Sequence, residues 1–325
     1  MNSWMDDEQR RRMYEDLGVG MPFIKGEAVP VRNCWHFSTD GTGIDVMFYD
    51  EKDFVGGMNR IYVVLKNYRV IVLAFCLMDN HVHFVLHGGY EECNKFVHEY
   101  VRRTSMSISI RHGDEKKLAD LPIHHQAVTD DQYLKTVICY VVKNPYAAGL
   151  PILAMDYPWS SGALYFRIAE MWTSPSWIVI GLQSLLSHDY TSGRKRQKYL
   201  ASHEEMGDGC VLVNGLIFPG EYVEYEVVQK IFRTHKGYSY YLFKTKDEDI
   251  ESKGEAISRL SIPDSELRQR KREICMRMYG TCSVKNLNTF QRMSLAKALR
   301  NKYTCSVKQV ARVTGLVAKE IEHLL

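Results

Sequence analysis

The chain has 325 residues, of which 45% are hydrophobic and 25% are charged, a composition typical of a globular protein with about two domains. No apolar run approaches the roughly 18 residues of a membrane span, and residues 1–12 carry charges of both signs without an apolar signal segment. The eight cysteines form no C-x-x-C pair, which argues against zinc ribbons and thioredoxin-like sites. We therefore expect a cytoplasmic protein that does not associate with membranes.

The net charge of +3 is unevenly distributed along the chain. Residues 252–325 contain 15 Lys and Arg against 6 Asp and Glu, a balance of +9, so the other 251 residues carry −6. A basic C-terminal region on a mildly acidic body is typical of an appendage that binds a polyanion. The alternative is an ordinary solvated helical surface.

The predicted elements of the first half mix strands with helices. Strand-like runs lie at 34–38, 45–49, 70–77 and 81–87, and helical spacing is found at 51–67, 90–111 and 131–143. Pro145 and Gly149 are predicted to end the last of these helices. A turn at 78–80 makes the last two strands a hairpin. This pattern predicts an α+β fold in which helices pack on an antiparallel sheet.

The rest of the chain is predicted to be mainly helical. Residues 176–205 have helical spacing with a basic cluster at 194–198, and three further helices are predicted at 294–303, 307–314 and 318–325. Val310, Ala311 and Val313 should face inward, and Gly315 should make the turn before the last helix. This order is the helix-turn-helix plan, with an ordinary helical bundle as the alternative.

Two histidines separated by one residue, His81 and His83, occupy the last predicted strand. Because side chains alternate along a strand, both should point to the same face. Two imidazoles side by side on a rigid element suit a divalent metal. The plainer interpretation is a strand with two half-exposed histidines that bind nothing.

A second candidate group lies on the helix at 131–143 and just beyond it. Tyr140 and Asn144 are four residues apart, so they share one helix face. If that face packs over the histidine strand, two imidazoles, an amide oxygen and a phenol meet. A metal would polarise a phosphodiester, and the phenol would attack it to give a phosphotyrosine. The alternative is that Tyr140, one of 20 tyrosines, only packs its ring.

These segments together resemble a known enzyme family. His81-Val82-His83, the run Tyr140 to Pro145 with Ala148-Gly149-Leu150, and the run Tyr157 to Ser161 resemble the single-tyrosine HUH transposases, in particular the REP-associated tyrosine transposases. The resemblance spans roughly residues 30–165. It implies a ferredoxin-like HUH endonuclease fold in residues 1–165, a mostly helical accessory region at 166–251, and a basic helix-turn-helix DNA-binding region at 252–325.

The resemblance also implies a mechanism. Tyr140 would be the nucleophile that becomes linked to a DNA 5′-phosphate, and His81, His83 and Asn144 would hold Mg²⁺ or Mn²⁺. The protein would act as a homodimer on single-stranded DNA that forms hairpins or contains repeats. DNA contacts in the C-terminal region are expected from five basic residues: Arg268, Arg270, Lys271, Arg272 and Lys319.

The chain departs from the family in one segment. Family members usually carry Arg and Lys just before the tyrosine helix, whereas residues 121–126 contain neither. Two alternatives to a transposase-like enzyme therefore stay open. One is a catalytically reduced, host-adapted DNA-binding regulator with the same fold, and the other is a phosphodiesterase that uses water and does not need Tyr140.

Overall fold

A four-stranded antiparallel sheet forms the centre of the fold. The computed structural model describes residues 6–22, 24, 27–39, 46–113, 121–148, 150, 152–166, 212–213, 215–245, 264–302 and 307–321. The sheet contains β1 (Cys34–Thr39), β2 (Ile71–Leu77), β3 (Val82–His87) and β4 (Ile123–Ala127), in the order β2-β3-β1-β4. The helices around it are α1 (Asp7–Asp16), α2 (Glu51–Leu65), α3 (Tyr90–His112) and α4 (Asp131–Ala147). The α+β class, the β2–β3 hairpin and the helices at 51–67 and 90–111 are confirmed.

Helices α3 and α4 lie on opposite faces of this sheet. Phe84 of β3 contacts Phe96 and Tyr100 of α3, whereas the neighbouring His83 contacts Tyr140 of α4. Because successive side chains of a strand point to opposite faces, one face carries α3 and the other α4. Both faces of the β2–β3 hairpin are therefore covered, and every residue of these two strands is buried.

The segment Tyr157 to Ser161 covers the outer edge of β2. The backbone nitrogen of Leu77 donates to the carbonyl of Trp159 at 2.9 Å, and the Tyr157 hydroxyl donates to the carbonyl of Leu77 at 2.8 Å. The Phe75 nitrogen donates to the Ser161 hydroxyl at 3.0 Å. The motif thus satisfies backbone groups that an edge strand would otherwise expose.

The strand predicted at 45–49 is wrong for the residues that the structure describes. Residues 46–49 form no strand, although Met47 and Phe48 are fully buried. Their two backbone nitrogens both donate to the carbonyl of Asp79. Met47 and Phe48 are thus buried against the turn between β2 and β3. Their apolar side chains reflect this burial and not pairing with a neighbouring strand.

The sheet gains its fourth strand from a segment with no strand signature. β4 pairs with β1 at the edge of the sheet, with Ser38 opposite His124 and Phe37 opposite His125. His124 and His125 are exposed. Because an edge strand needs few apolar residues, the run Ile123 to Ala127 carries little of the alternation that identifies buried strands.

Helix α4 continues past the proline that was predicted to end it. The Asp130 side chain caps its start by accepting from the Tyr133 nitrogen at 2.7 Å, and the helix ends only after Ala147. Pro145 lies in the last turn, where its missing N–H removes one backbone hydrogen bond without stopping the helix. As a result, Asn144 is held in regular helical geometry one turn after Tyr140. Gly149 lies outside the described residues.

Residues 215–245 pack into the same hydrophobic core as the sheet. A short hairpin, β5 (Leu212–Val213) and β6 (Leu216–Ile217), precedes α5 (Tyr225–Phe232) and α6 (His235–Lys244). The Glu224 nitrogen donates to the carbonyl of Val72 in β2 at 2.9 Å, and the Lys143 ammonium donates to the carbonyl of Thr245 at 2.9 Å. The helices predicted at 176–205 and their basic cluster lie outside the described residues.

The C-terminal helices have a hydrophobic core of their own. They are α7 (Asp264–Tyr279), α8 (Thr289–Lys302), α9 (Val307–Thr314) and α10 (Ala318–Ile321). Leu267, Leu295 and Val310 are fully buried among them. Val310, Ala311 and Val313 are buried as predicted, and Gly315, at φ 67°, makes the turn after α9. Among all described helices, none combines the length and apolarity needed to cross a membrane.

Candidate metal and nucleophile site

The two histidines of the His-x-His motif lie side by side at the start of β3. His83 is the second residue of the strand, and His81 immediately precedes it. Their ring centroids are 4.9 Å apart with the planes nearly perpendicular. His83 is buried and His81 is partly exposed. One ring therefore faces the interior while the other remains accessible from solvent.

Asn144 of α4 joins the two imidazoles. Its Oδ1 lies 3.1 Å from Nε2 of His81, and its Nδ2 lies 3.1 Å from Nε2 of His83. The packing of α4 on β3 thus brings together the three residues that the sequence assigned to a metal. Their role as ligands remains a prediction.

Tyr140 lies beside this group, one helical turn before Asn144. Its ring centroid is 5.5 Å from that of His83, in an edge-to-face arrangement. The side chain is 9% exposed. Tyr133, the other tyrosine on this side of the helix, is 7% exposed, and burial, with a smaller effect of Asp130, raises its pKa to about 12.

A third histidine, His36 of β1, completes the group and was not predicted to be part of it. Its Nε2 lies 3.2 Å from Nδ1 of His83, and the two rings stack at 5.4 Å. Its ring also meets that of Tyr140 edge-on at 5.8 Å. Because the contact depends on the pairing of β1 with β3, nothing in the local sequence around His36 indicated it.

Burial keeps both inner histidines neutral at pH 7. It lowers the pKa of His36 to about 4. It also lowers the pKa of His83 well below the ordinary value, with smaller contributions from His81, His36 and Arg312 of α9. A neutral imidazole is the form that binds metals.

The depressed pKa of His36 predicts a loss of stability in acid. In the unfolded chain His36 takes up a proton near pH 6.5, whereas in the folded protein its pKa is about 4. Between these values only the unfolded state is protonated, so the free energy of unfolding should fall as the pH falls from 6.5 to 4. For this residue the loss should reach roughly 2–3 kcal/mol.

Urea denaturation of the metal-free protein across this range measures the effect. The His36→Phe variant is the control, because it retains the neighbouring His83 and Tyr140 and all other histidines. Its unfolding free energy should depend less steeply on pH than that of the wild type. Equal slopes for the two proteins would contradict the prediction.

The hydrogen bonds assign the protons of the two motif histidines. The 2.7 Å contact between Nδ1 of His81 and Oδ1 of Asn80 needs a donor, so Nδ1 of His81 carries a proton. The Asn144 amide nitrogen donates to Nε2 of His83, which places that ring's proton on Nδ1 as well. Nε2 of His81 and Oδ1 of Asn144 lie 3.1 Å apart. Imidazole nitrogens and an amide oxygen are donors that divalent cations take, and here they lie side by side, so these residues fit a metal.

A separate group of residues could also hold a metal ion. Asp50, Asp53 and His112 place their ligand atoms within 4.8 Å of one another, and the group was not predicted from the sequence. Arg111 forms hydrogen bonds with both carboxylates, and the Asp53 side chain is completely buried. The guanidinium offsets one of the two carboxylate charges, and the same contacts tie the start of α2 to the end of α3.

The residues predicted to bind DNA in the C-terminal region differ in exposure. Arg272 is exposed and Arg268 is half-buried. Arg270 forms an ion pair with Glu273 at 3.4 Å, and Lys271 is 6% exposed, which leaves its ammonium little contact with solvent. For Lys319, in α10, the structure describes only the backbone.

Comparisons with known proteins find a distant structural similarity. No protein-family model matches the chain, and no curated protein matches it. A solved structure of a REP-associated tyrosine transposase bound to a REP hairpin matches with a TM-score of 0.32 and 12% sequence identity. The match covers 44% of this chain and 84% of that chain. At this TM-score and identity the similarity is distant.

Proposed function

We propose that this chain cleaves and rejoins single-stranded DNA by metal-dependent strand transfer, through a covalent 5′-phosphotyrosine at Tyr140. The observation that carries the proposal is the convergence of His81, His83 and Asn144 beside this tyrosine, with Nε2 of both imidazoles 3.1 Å from the Asn144 amide. Metal ligands and a hydroxyl nucleophile in one place are what phosphoryl transfer requires.

His81, His83 and Asn144 would hold Mg²⁺ or Mn²⁺. Their nitrogen and oxygen donors, with no thiolate among them, suit these ions better than a structural zinc. When bound, the ion would make the phosphorus more electrophilic and stabilise the charge that develops on its oxygens. Asn80 and His36 hold the two imidazoles through their Nδ1 atoms, so the donor atoms are oriented before any ion arrives.

The proposed step balances without an added reactant. The Tyr140 oxygen bonds to phosphorus, the bond from phosphorus to the 3′ oxygen breaks, the tyrosine loses its proton and the 3′ oxygen gains one. The phosphotyrosine ester retains the bond energy of the phosphodiester, so a second 3′ hydroxyl can reverse the step and join strands.

The fold agrees with this proposal. Strands and helices follow one another as β1, α2, β2, β3, α3 and β4, the β-α-β-β-α-β order of ferredoxin-like folds. We propose that this unit is an HUH endonuclease domain within residues 1–165. As part of the same proposal, the protein works as a homodimer.

The proposal is tested by incubation with labelled single-stranded DNA from the flanks of the protein's own gene. In Mn²⁺ or Mg²⁺, a denaturing gel should show a labelled species that migrates with the protein and disappears on protease treatment. Cleavage of the strand without such a species would instead indicate a phosphodiesterase that uses water.

We further propose that the C-terminal helices bind duplex DNA or a hairpin stem. Residues 252–325 carry a balance of +9, and their own hydrophobic core, separate from that of residues 13–242, favours a discrete module. The short turn at Gly315 between α9 and α10 fits a helix-turn-helix. Exposed Arg272 and half-buried Arg268 are better placed for phosphate contacts than Lys271.

Removal of the chain after residue 252 is therefore expected to separate the two activities. The truncated protein should still cleave a short single strand but should bind a hairpin more weakly. The affinity lost should be the part that falls steeply with salt, because it comes from Lys and Arg contacts to phosphate. Fluorescence anisotropy at several salt concentrations measures the hairpin affinity and its dependence on salt. Equal hairpin affinities and equal salt slopes would make this region a structural or protein-contact module.

A DNA-binding regulator with reduced catalysis is the second candidate. The low exposure of Tyr140 favours it, since a nucleophile must reach its phosphodiester. The exposed part of β4, where basic residues were expected, presents His124 and His125. Binding of hairpin DNA without any covalent product, in Mg²⁺ and in Mn²⁺, would favour the regulator.

A further inference from the structure

His36 contacts both a proposed metal ligand, His83, and the proposed nucleophile, Tyr140. It lies on β1, which pairs with β3 so that Ser38 is opposite His83 and His36 is opposite Val85. His36 is therefore the diagonal neighbour of His83 on the same face of the sheet. At 6% exposure it is buried, and its ring meets both His83 and Tyr140.

The geometry excludes a simpler role as a third metal ligand. Among the described residues, the only cluster of three His, Cys, Asp or Glu side chains with all ligand atoms within 4.8 Å is Asp50–Asp53–His112. His36, His81 and His83 thus do not converge on one point. The Nε2 atom of His36 instead lies 3.2 Å from Nδ1 of His83, on the side of that ring away from Asn144.

The direction of this hydrogen bond follows from its neighbours. Nε2 of His83 accepts from the Asn144 amide nitrogen, so the neutral ring carries its proton on Nδ1. Nδ1–H of His83 then donates to Nε2 of His36. If this acceptor were lost, His83 could move its proton to Nε2, where it would block the lone pair that a metal needs.

We propose that His36 is a positioning residue that accepts the Nδ1 proton of His83, fixes its tautomer and ring orientation, and packs against the Tyr140 ring. The part of this proposal that concerns metal affinity rests on the proposed function, whereas the part that concerns the tautomer does not. A group that orients a metal-binding histidine in this way typically changes metal affinity by 10–100-fold when it is removed.

Two substitutions separate the hydrogen bond from the packing. His36→Gln can place an amide oxygen near the position of Nε2 and still accept the proton of His83. His36→Phe keeps an aromatic ring of similar volume against Tyr140 but offers no acceptor. Mn²⁺ titration without DNA should show about 10–100-fold weaker binding for His36→Phe and affinity close to that of the wild type for His36→Gln.

The tautomer is measured directly by NMR on protein labelled with ¹⁵N-histidine. In the wild type His83 should carry its proton on Nδ1, with a ¹⁵N–¹⁵N coupling across the hydrogen bond to Nε2 of His36. In His36→Phe the coupling must be absent and the tautomer should change. The wild-type spectrum is a test by itself, because a proton on Nε2 of His83 would contradict the proposal. The test therefore holds even if His36→Phe does not fold.

The outcomes distinguish this proposal from the proposed function. A wild-type His83 protonated on Nε2, or unchanged tautomer and Mn²⁺ affinity in His36→Phe, would overturn the positioning role. If the tautomer is as expected but His81→Ala binds Mn²⁺ as tightly as the wild type, the metal-dependent function fails while the positioning of His83 by His36 stands.

Discussion

Replacing Tyr140 with phenylalanine is expected to abolish the covalent protein–DNA adduct, with a loss of at least about 10³-fold in strand cleavage. Only the hydroxyl is removed, and the ring can keep its edge-to-face contacts with His36 and His83. Folding and DNA affinity should therefore remain close to those of the wild type. Adduct formation on a denaturing gel, thermal unfolding and anisotropy measure the three properties.

Tyr133→Phe is the matched control for this experiment. Tyr133 lies about two turns earlier in α4 and is equally buried. Burial raises the pKa of its hydroxyl to about 12, which makes it harder to deprotonate and a poorer nucleophile near neutral pH. The adduct should persist in Tyr133→Phe. If Tyr133→Phe lost the adduct and Tyr140→Phe kept it, Tyr133 would be the nucleophile instead.

Removing either motif histidine is expected to abolish cleavage and to weaken Mn²⁺ binding. His81→Ala and His83→Ala each delete a proposed metal ligand, so the affinity loss should exceed the roughly 10–100-fold typical of residues that only orient a ligand. Excess chelator should have the same effect on the wild type. Calorimetric titration of Mn²⁺ and the cleavage assay measure these outcomes.

His98→Ala provides a histidine control. His98 is exposed on α3, the helix on the opposite face of the sheet, and its loss should change neither metal affinity nor cleavage. Full activity of the wild type in excess chelator, or of His81→Ala in Mn²⁺, would exclude metal-dependent chemistry at this site.

Regular periodicity explains which parts of the fold could be predicted. The continuous apolar run of β2 and the helical spacing of apolar residues in α2 and α3 predicted these elements correctly. In each of them most of the apolar residues pack into the core. The four-residue spacing placed Tyr140 and Asn144 on one face, and the two-residue spacing brought His81 and His83 together. For these pairs one element supplies both members, so the spacing alone indicated proximity.

Contacts that depend on strand pairing or on the packing of one helix against another could not be predicted in this way. His36 meets His83 only through the register of β1 and β3. Asp53 and His112 meet because α2 and α3 pack against each other, although 59 residues separate them. For Met47 and Phe48 the prediction was wrong for the opposite reason. Both residues are buried, so their segment has a strand-like pattern, but it forms no strand.

The most direct test of the central claim locates the covalent link on the chain. After reaction with single-stranded DNA in Mn²⁺, nuclease trimming and trypsin digestion, mass spectrometry should find the nucleotide on the peptide 136–143, whose only tyrosine is Tyr140. Tyr133 lies on the separate peptide 118–135. A nucleotide on that peptide, or cleaved DNA with no modified tyrosine peptide, would contradict strand transfer through Tyr140.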